Sequence, residues 1–201
     1  MLQYIIRSGK RDEIAAQCNE ALEAGCRWIE IKAPKEFTDE ELKSSIEQIL
    51  PQIREKGASL ILASRVTLAK QTGADGVQLY IDDMPPTAAR MELEAGPIIG
   101  MSVRDVATVE RNLHFDIDFF RLEPLFEEDG ENLATLCEIA NLLSEKKSDK
   151  PLAAAGGITS DNVEGVLAAG AEGVAVDSSI AEGHSSIKDG LENLIRTINQ
   201  E

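Results

Sequence analysis

The chain has 201 residues, of which 43% are hydrophobic, and this is enough for one folded domain with a sizeable core. Its formal net charge of −16 argues against nucleic acid or an anionic membrane as a partner, because both bind positively charged surfaces. With no apolar run long enough to span a bilayer, no secretory leader and three cysteines without a C-x-x-C pair, we predict a cytoplasmic protein that lacks disulfides and a zinc site.

A helix, a glycine and a short β-branched segment recur as a unit along the chain. The pattern predicts strands near residues 2–6, 27–32, 59–63, 76–80, 97–101, 117–122, 151–155 and 173–177. It predicts helices near residues 11–24, 39–55, 65–72, 86–94, 105–113, 131–145, 160–169 and 188–198. Thr38 and Glu41 form a capping-box pattern at the start of the second helix.

Eight alternating strands and helices without a linker favour an α/β fold, a single-domain (β/α)8 TIM barrel over residues 1–201. An open doubly wound sheet is the alternative. The chain has no G-x-G-x-x-G turn after its first strand, which is the motif typical of dinucleotide-binding members of that alternative class.

Two adjacent glycines follow the seventh predicted strand. In such barrels the site lies at the C-terminal ends of the strands, and a phosphate commonly sits beyond the last two. Gly156 and Gly157 let bare amides approach an anion at the start of the next helix, and Val176 and Ser178 close the eighth strand. We predict that these four residues bind phosphate, although the glycine pair is also compatible with a tight turn.

Five basic residues fall at or just beyond the ends of predicted strands, which is unexpected in so acidic a chain. They are Arg7, Lys32, Arg65, Arg104 and Arg121. Clustered cations favour an anionic ligand. Asp82 and Asp83 follow the fourth strand and are the candidates for Mg²⁺, because hard carboxylate oxygens suit that ion.

Glu30 and Lys32 alternate with two isoleucines on the second strand, so they share one face of it. If that face points into the barrel, the two charges must pair with each other or contact a ligand. Both interpretations remain open from the sequence. Arg121 and Glu123 repeat the same pattern, and the same ambiguity, at the end of the sixth strand.

Several short segments, in this order and spacing, resemble one known family over nearly the whole chain. They are ADGVQL at 74–79 with DMP at 83–85, IIGMS at 98–102, PLF at 124–126, GGIT at 156–159 and GVAV at 173–176. The family is that of thiamine phosphate synthase and TenI. The resemblance implies an enzyme of thiamine biosynthesis that joins hydroxymethylpyrimidine diphosphate to thiazole phosphate, releases pyrophosphate and uses magnesium, with a homodimer as a possible assembly.

The resemblance assigns roles to individual positions. Lys32 is the cation retained from the family's Gln-x-Arg-x-Lys stretch, and Ser102 is the retained serine of its Gly-x-Ser segment. Asp83 matches a magnesium aspartate, and Ser178 matches a phosphate-loop serine. Arg104 stands where the TenI branch has an acid–base histidine. From these matches we take Lys32, Ser102 and Arg104 as the candidate catalytic residues and Asp83 as the candidate metal ligand. The substrate-binding candidates are Glu30, which matches the first position of that stretch, and the strand-end cations Arg7, Arg65 and Arg121, which we predict as a replacement set for a different anion.

The sequence also departs from the family pattern. Ala63 and Ser64 replace its Asn-Asp pair, and Glu30 and Pro34 replace two residues of the stretch that holds the pyrimidine and pyrophosphate. Residues 127–130 read EEDG in place of a Thr-x-Thr-Lys segment. Three functions therefore stay open: a transferase with a rearranged diphosphate site, a degenerate barrel that binds thiazole phosphate or thiamine phosphate, and an isomerase or lyase that uses Lys32 on another phosphorylated anion.

Overall fold

The computed structural model describes residues 1–127 and 130–199. Its strands are β1 (Leu2–Ile6), β2 (Trp28–Ile31), β3 (Ser59–Ala63), β4 (Gly76–Leu79), β5 (Ile98–Val103), β6 (Phe119–Leu122), β7 (Leu152–Ala155) and β8 (Gly173–Val176). Its helices are α1 (Arg11–Glu23), α2 (Asp39–Glu55), α3 (Val66–Thr72), α4 (Pro86–Leu93), α5 (Val106–Asn112), α6 (Leu133–Glu145), α7 (Val163–Ala168) and α8 (Ile187–Ile198).

The eight strands are parallel and close into a barrel in chain order, with β8 paired to β1. The predicted single-domain (β/α)8 barrel is therefore confirmed, and the open sheet is excluded. Every strand lies within two residues of its predicted bounds. The capping box of α2 also forms, since the Thr38 side chain accepts from the Glu41 amide and the Glu41 side chain accepts from the Thr38 amide.

Two short elements were not predicted. A two-stranded antiparallel hairpin pairs Phe126–Glu127 with Gly130–Glu131, and a 3-10 helix spans Ser178–Ala181. In the acidic segment EEDG, which stands in place of the Thr-x-Thr-Lys segment of the family, Glu128 and Asp129 lie outside the described residues. No helix in the described part of the chain has the length and apolarity that a membrane crossing requires.

The main hydrophobic core lies between the outer face of the strands and the helices, where alternate strand residues such as Ile29, Ile31 and Leu62 are fully buried. The inside of the barrel is different, because it contains buried polar side chains. Small residues make room for them: the register neighbours of Arg121 are Ser102 and Ala153. The barrel interior thus holds a charged network and opens at the C-terminal ends of the strands.

Candidate functional site

A small cleft lies where β7 and β8 end, and it is lined by Gly156, Gly157 and Val176 together with Arg7 and Ser179. We call these five residues the phosphate cup, after the phosphate that the sequence predicts at this place. The amides of the two glycines donate to no backbone carbonyl in the described part of the chain, so they are available to an anion. Three of the four predicted phosphate residues therefore line one cleft.

The fourth, Ser178, is exposed and does not line the cleft, where Ser179 stands instead. The reason is local: Ser178 begins the 3-10 helix, and the Asp177 side chain caps that helix by accepting from the Ser179 amide at 3.1 Å. Burial would raise the pKa of Asp177, but hydrogen bonds from Ser179 and Arg7 lower it, so a carboxylate remains charged beside the cup.

The two glycines also allow a close approach of the segment after β6. Gly156 and Gly157 have φ angles of 99° and 67°, which L side chains rarely adopt. A Cβ atom at Gly157 would lie 2.8 Å from the Cβ of Phe126, and the Phe126 amide donates to the Gly156 carbonyl at 3.2 Å. The pair therefore packs this segment against the cup in addition to leaving amides accessible.

Glu123 lies at the barrel mouth, just after β6, and contacts residues at or next to the C-terminal ends of four strands. Its Oε1 atom accepts from Arg7 Nη2 at 3.1 Å and from Lys32 Nζ at 3.4 Å. Its Oε2 atom accepts from Arg121 Nη2 at 2.8 Å and from Ser102 Oγ at 3.3 Å. Burial alone would raise the pKa of Glu123, but the three adjacent cations lower it to about 2. The carboxylate is therefore charged at neutral pH.

The Arg121 guanidinium is fully buried inside the barrel, next to the equally buried Glu30. Its Nη1 atom lies 2.5 Å from Glu30 Oε2 and 3.0 Å from Gln3 Oε1, and its Nη2 atom lies 2.8 Å from the Tyr80 hydroxyl. Neither Arg121 nor Glu30 lines a described cavity at the mouth. They contact each other inside the barrel, and their role in substrate binding stays a prediction.

Lys32 is half-buried at the end of β2 and does not pair with Glu30. Its Nζ atom lies 3.9 Å from the centroid of the Tyr80 ring and contacts Glu123 instead. Burial lowers the pKa of Lys32, while the Glu123 carboxylate opposes this shift. Lys32 lines a cavity of about 340 Å³ with Ser102 and Arg104, so the three predicted catalytic residues meet at one cavity.

Arg65 and Arg104 differ in their surroundings. Arg65 contacts Asp39 at the start of α2 and donates to the carbonyls of Pro34 and Phe37, although it also lines a wider cleft of about 620 Å³. Arg104 is exposed, lines the smaller cavity and forms no ion pair with the residues that the structure describes. Of the five predicted cations, Arg104 is thus the one that has no ion pair within residues 1–127 and 130–199.

Asp83 lies in the wider cleft, where magnesium was predicted. Its Oδ2 atom accepts from Ser64 Oγ at 2.7 Å and from the Tyr80 amide at 2.8 Å. Within residues 1–127 and 130–199, no group of three or more His, Cys, Asp or Glu side chains has the geometry to hold a metal ion. The donor set does not fit a magnesium ion held by the protein, because the second carboxylate of the family is Ser64 here.

Three residues of the mouth were missed by the site predictions: Glu123, Tyr80 and Asp177. The Phe119, Arg121, Glu123 alternation at the end of β6 was the available signal for the first. Nothing in the sequence indicates that Glu123 would meet Arg7 and Lys32, because these contacts join three separate strand ends.

Comparison with known proteins gives a consistent result. A sequence model described as thiamine monophosphate synthase matches residues 2–180. The thiamine-phosphate synthase of Bacteroides thetaiotaomicron is 31% identical over 186 residues, which cover 89% of this chain and 88% of the relative. That of Methanoculleus marisnigri is 38% identical over 153 residues, covering 73% of this chain and 70% of the relative.

Among solved structures, thiamine phosphate pyrophosphorylase from Pyrococcus furiosus superposes with a TM-score of 0.82 at 29% sequence identity. The match covers 98% of this chain and 95% of that one. The similarity therefore extends over the whole barrel, including the strand ends that form the mouth.

Proposed function

Because this chain belongs to the thiamine monophosphate synthase family, we propose that it is a transferase of that type, joining a pyrimidine diphosphate to a thiazole phosphate. The phosphate cup is the observation that carries the proposal. It combines free glycine amides with the Arg7 guanidinium at the position where barrels of this class bind phosphate. The thiazole phosphate would anchor there.

In the proposed reaction, the thiazole nitrogen forms a bond to the methylene carbon of the pyrimidine. The bond between that carbon and the diphosphate oxygen breaks, and pyrophosphate leaves with the electron pair. The groups that face this developing negative charge in the 340 Å³ cavity are Lys32, Ser102 and Arg104. Their role would be to bind and stabilise the leaving pyrophosphate by charge-assisted hydrogen bonds.

Magnesium is implied by the family, and Asp83 remains the residue proposed to contact it. Since the described donor set does not fit a protein-held ion, no step above depends on the metal. A homodimer and a cytoplasmic location stay predictions from the sequence. Light scattering of the purified protein tests the first.

Mass spectrometry of thiamine phosphate formation tests the proposal directly. The protein is incubated with hydroxymethylpyrimidine diphosphate and thiazole phosphate, once with magnesium and once with EDTA, beside a competent relative. Arg7→Met should raise the KM for thiazole phosphate by about tenfold or more, because a charge-assisted contact contributes about 1.5–3 kcal/mol. Arg196→Met removes the same charge from an exposed position of α8 and should change KM less than twofold. Absence of product in both metal conditions contradicts the proposal.

A second candidate function is a barrel that binds thiazole phosphate or thiamine phosphate without catalysis. The observation that favours it is the engagement of Arg7, Lys32 and Arg121 by the Glu123 carboxylate, which reduces the positive charge available to a diphosphate. Calorimetry with thiazole phosphate and thiamine phosphate distinguishes the two, since this candidate predicts binding and no turnover.

A further inference from the structure

Lys32 and Tyr80 lie between the two larger cavities of the barrel mouth. Each of them lines both the 340 Å³ cavity and the 620 Å³ cleft. The Lys32 Nζ atom lies 3.9 Å from the centroid of the Tyr80 ring, which is within the range of a cation–π contact. The two residues follow β2 and β4, which are not neighbours in the barrel. The contact therefore joins two separate strand ends at the mouth.

Tyr80 is held at both ends, so its ring has little freedom to move. Its amide donates to Asp83 Oδ2 at 2.8 Å. Its hydroxyl accepts from Arg121 Nη2 at 2.8 Å and donates to Glu30 Oε1 at 3.2 Å, and both of these partners are fully buried. The ring is thus a fixed surface against which the long, flexible side chain of Lys32 is held.

An aromatic face holds a lysine without neutralising its charge. Within the described residues, Glu123 is the one side chain that accepts a hydrogen bond from Lys32 Nζ, at 3.4 Å. An ammonium group has three N–H donors, and the ring attracts it electrostatically without adding a negative charge. Burial lowers the pKa of Lys32, and the ring opposes this change because it favours the charged form. Donors of Lys32 are therefore available to an anion in the 340 Å³ cavity.

We propose that Tyr80 is a positioning residue, whose ring holds the Lys32 ammonium at the wall of the 340 Å³ cavity, where it binds the leaving pyrophosphate. A lysine that is already held in place loses less conformational entropy when the anion binds, and for one side chain this changes the affinity by about threefold to tenfold. The inference rests on the proposed function, because that function makes pyrophosphate the leaving group. In this role Tyr80 acts through Lys32 and does not contact the anion.

A double-variant cycle with inorganic pyrophosphate as the probe separates positioning from direct contact. Calorimetry measures the affinity of wild type, Tyr80→Leu, Lys32→Met and the double variant, once with magnesium and once with EDTA. Leucine keeps apolar bulk and removes the aromatic face. Tyr80→Leu should weaken binding by about threefold to tenfold, because Lys32 must then be ordered when the anion binds. In the Lys32→Met background the same change should weaken binding by less than about twofold, because the side chain that Tyr80 positions is absent.

Tyr80→Phe is the matched variant, because it keeps the aromatic face and removes only the hydroxyl. It should bind pyrophosphate within about twofold of wild type, since the contact with Lys32 is made by the ring. NMR checks the contact itself without any ligand. The ring current of Tyr80 should shift the ε-methylene resonance of Lys32 upfield of those of the other lysines, and its absence in Lys32→Met assigns it. The shift should disappear in Tyr80→Leu and persist in Tyr80→Phe.

Four results overturn the proposal. They are an unshifted Lys32 resonance in wild type, no loss of affinity in Tyr80→Leu, an equal loss from that change in the Lys32→Met background, and a loss in Tyr80→Phe as large as that in Tyr80→Leu. Should Tyr80→Leu not fold, the wild-type resonance and Tyr80→Phe still decide the outcome. A wild-type protein that binds no pyrophosphate in either metal condition contradicts the transferase function and this role together, whereas the four results above contradict the role of Tyr80 alone.

Discussion

Replacing Arg121 with methionine would leave the Glu30 carboxylate buried without a cation. In the structure Glu30 has two other hydrogen-bond donors, the Gln3 amide and the Tyr80 hydroxyl, and both are neutral. The opposite change is milder. Glu30→Gln leaves Arg121 in contact with the charged Glu123 at 2.8 Å. The geometry therefore predicts an asymmetry between the two variants.

The expected magnitude follows from the burial of both partners. Removing one member of a fully buried ion pair typically lowers the free energy of unfolding by about 3–5 kcal/mol, because the remaining charge is not compensated. We expect this loss for Arg121→Met and a smaller loss for Glu30→Gln. In the double variant the uncompensated charge is gone, so its loss should be at least about 1 kcal/mol less than the sum of the two single losses.

Urea denaturation followed by circular dichroism measures all four proteins of this cycle, with the free energy of unfolding obtained by linear extrapolation. Two results would refute the reasoning. One is a loss below about 1 kcal/mol for Arg121→Met, which would mean that water or a shifted neighbour satisfies the Glu30 carboxylate. The other is additivity of the single losses, which would mean that the two side chains are not coupled.

Three further predictions concern the cup, the mouth and the outer helices. Gly157→Ala should lower the free energy of unfolding by at least about 1 kcal/mol more than Gly57→Ala in urea denaturation, because both positions have a left-handed φ but only a Cβ at Gly157 would meet Phe126; equal losses would contradict this. With its pKa lowered from an ordinary 4.5 to about 2, Glu123 stabilises the folded state at neutral pH, and this contribution is lost as the pH falls from about 4.5 to about 2. The stability difference between wild type and Glu123→Gln should therefore shrink steadily over that range in unfolding curves, and a difference as large at pH 2 as at neutral pH would refute it. Thr38→Ala removes the capping box of α2 and should lower the free energy of unfolding by about 1 kcal/mol, seen as a fall of about 2–4 °C in the thermal midpoint; an unchanged midpoint would count against it.

The fold could be predicted because its signals are local and repeated. Each helix, glycine and strand is encoded within a short stretch, as in residues 166–176, and eight such units close in only a few ways. The hairpin of Phe126–Glu127 and Gly130–Glu131 was missed because it lacks such a local, repeated signal. Two-residue strands have no periodicity, and Phe126 packs against Gly157, which is distant in the sequence.

The phosphate cup was largely predictable, because two adjacent glycines at the end of a known strand determine where bare amides lie. The exception is instructive. Ser178 and Ser179 are adjacent in the sequence, and the choice between them depends on the 3-10 turn that the Asp177 cap induces. The direction of the backbone at a single residue after β8 therefore determines which of the two serines lines the cleft.

The charge network could not be predicted from alternation, because alternation assigns a residue to a face and does not identify its partner. The sequence placed Glu30 and Lys32 on one face of β2, which made a mutual ion pair the simplest interpretation. In the structure each pairs with the end of β6 instead: Glu30 with Arg121, and Lys32 with Glu123. Parallel strands across a closed barrel bring these residues together, and no short stretch of sequence contains that information.

The same network changes how the cations of the mouth should be counted. Five basic residues at strand ends indicated a strongly positive mouth, but Arg7, Lys32 and Arg121 share the Glu123 carboxylate. A cation that is already paired gains from a ligand only the difference between its interaction free energy with the ligand and that with the carboxylate. Among the described residues that line the clefts, the glycine amides of the cup and Arg104 are therefore donors that no carboxylate occupies, and the number of basic residues overstates the positive charge of the mouth. Affinity in this barrel should accordingly respond more to the removal of one internal carboxylate than to the addition of another surface cation.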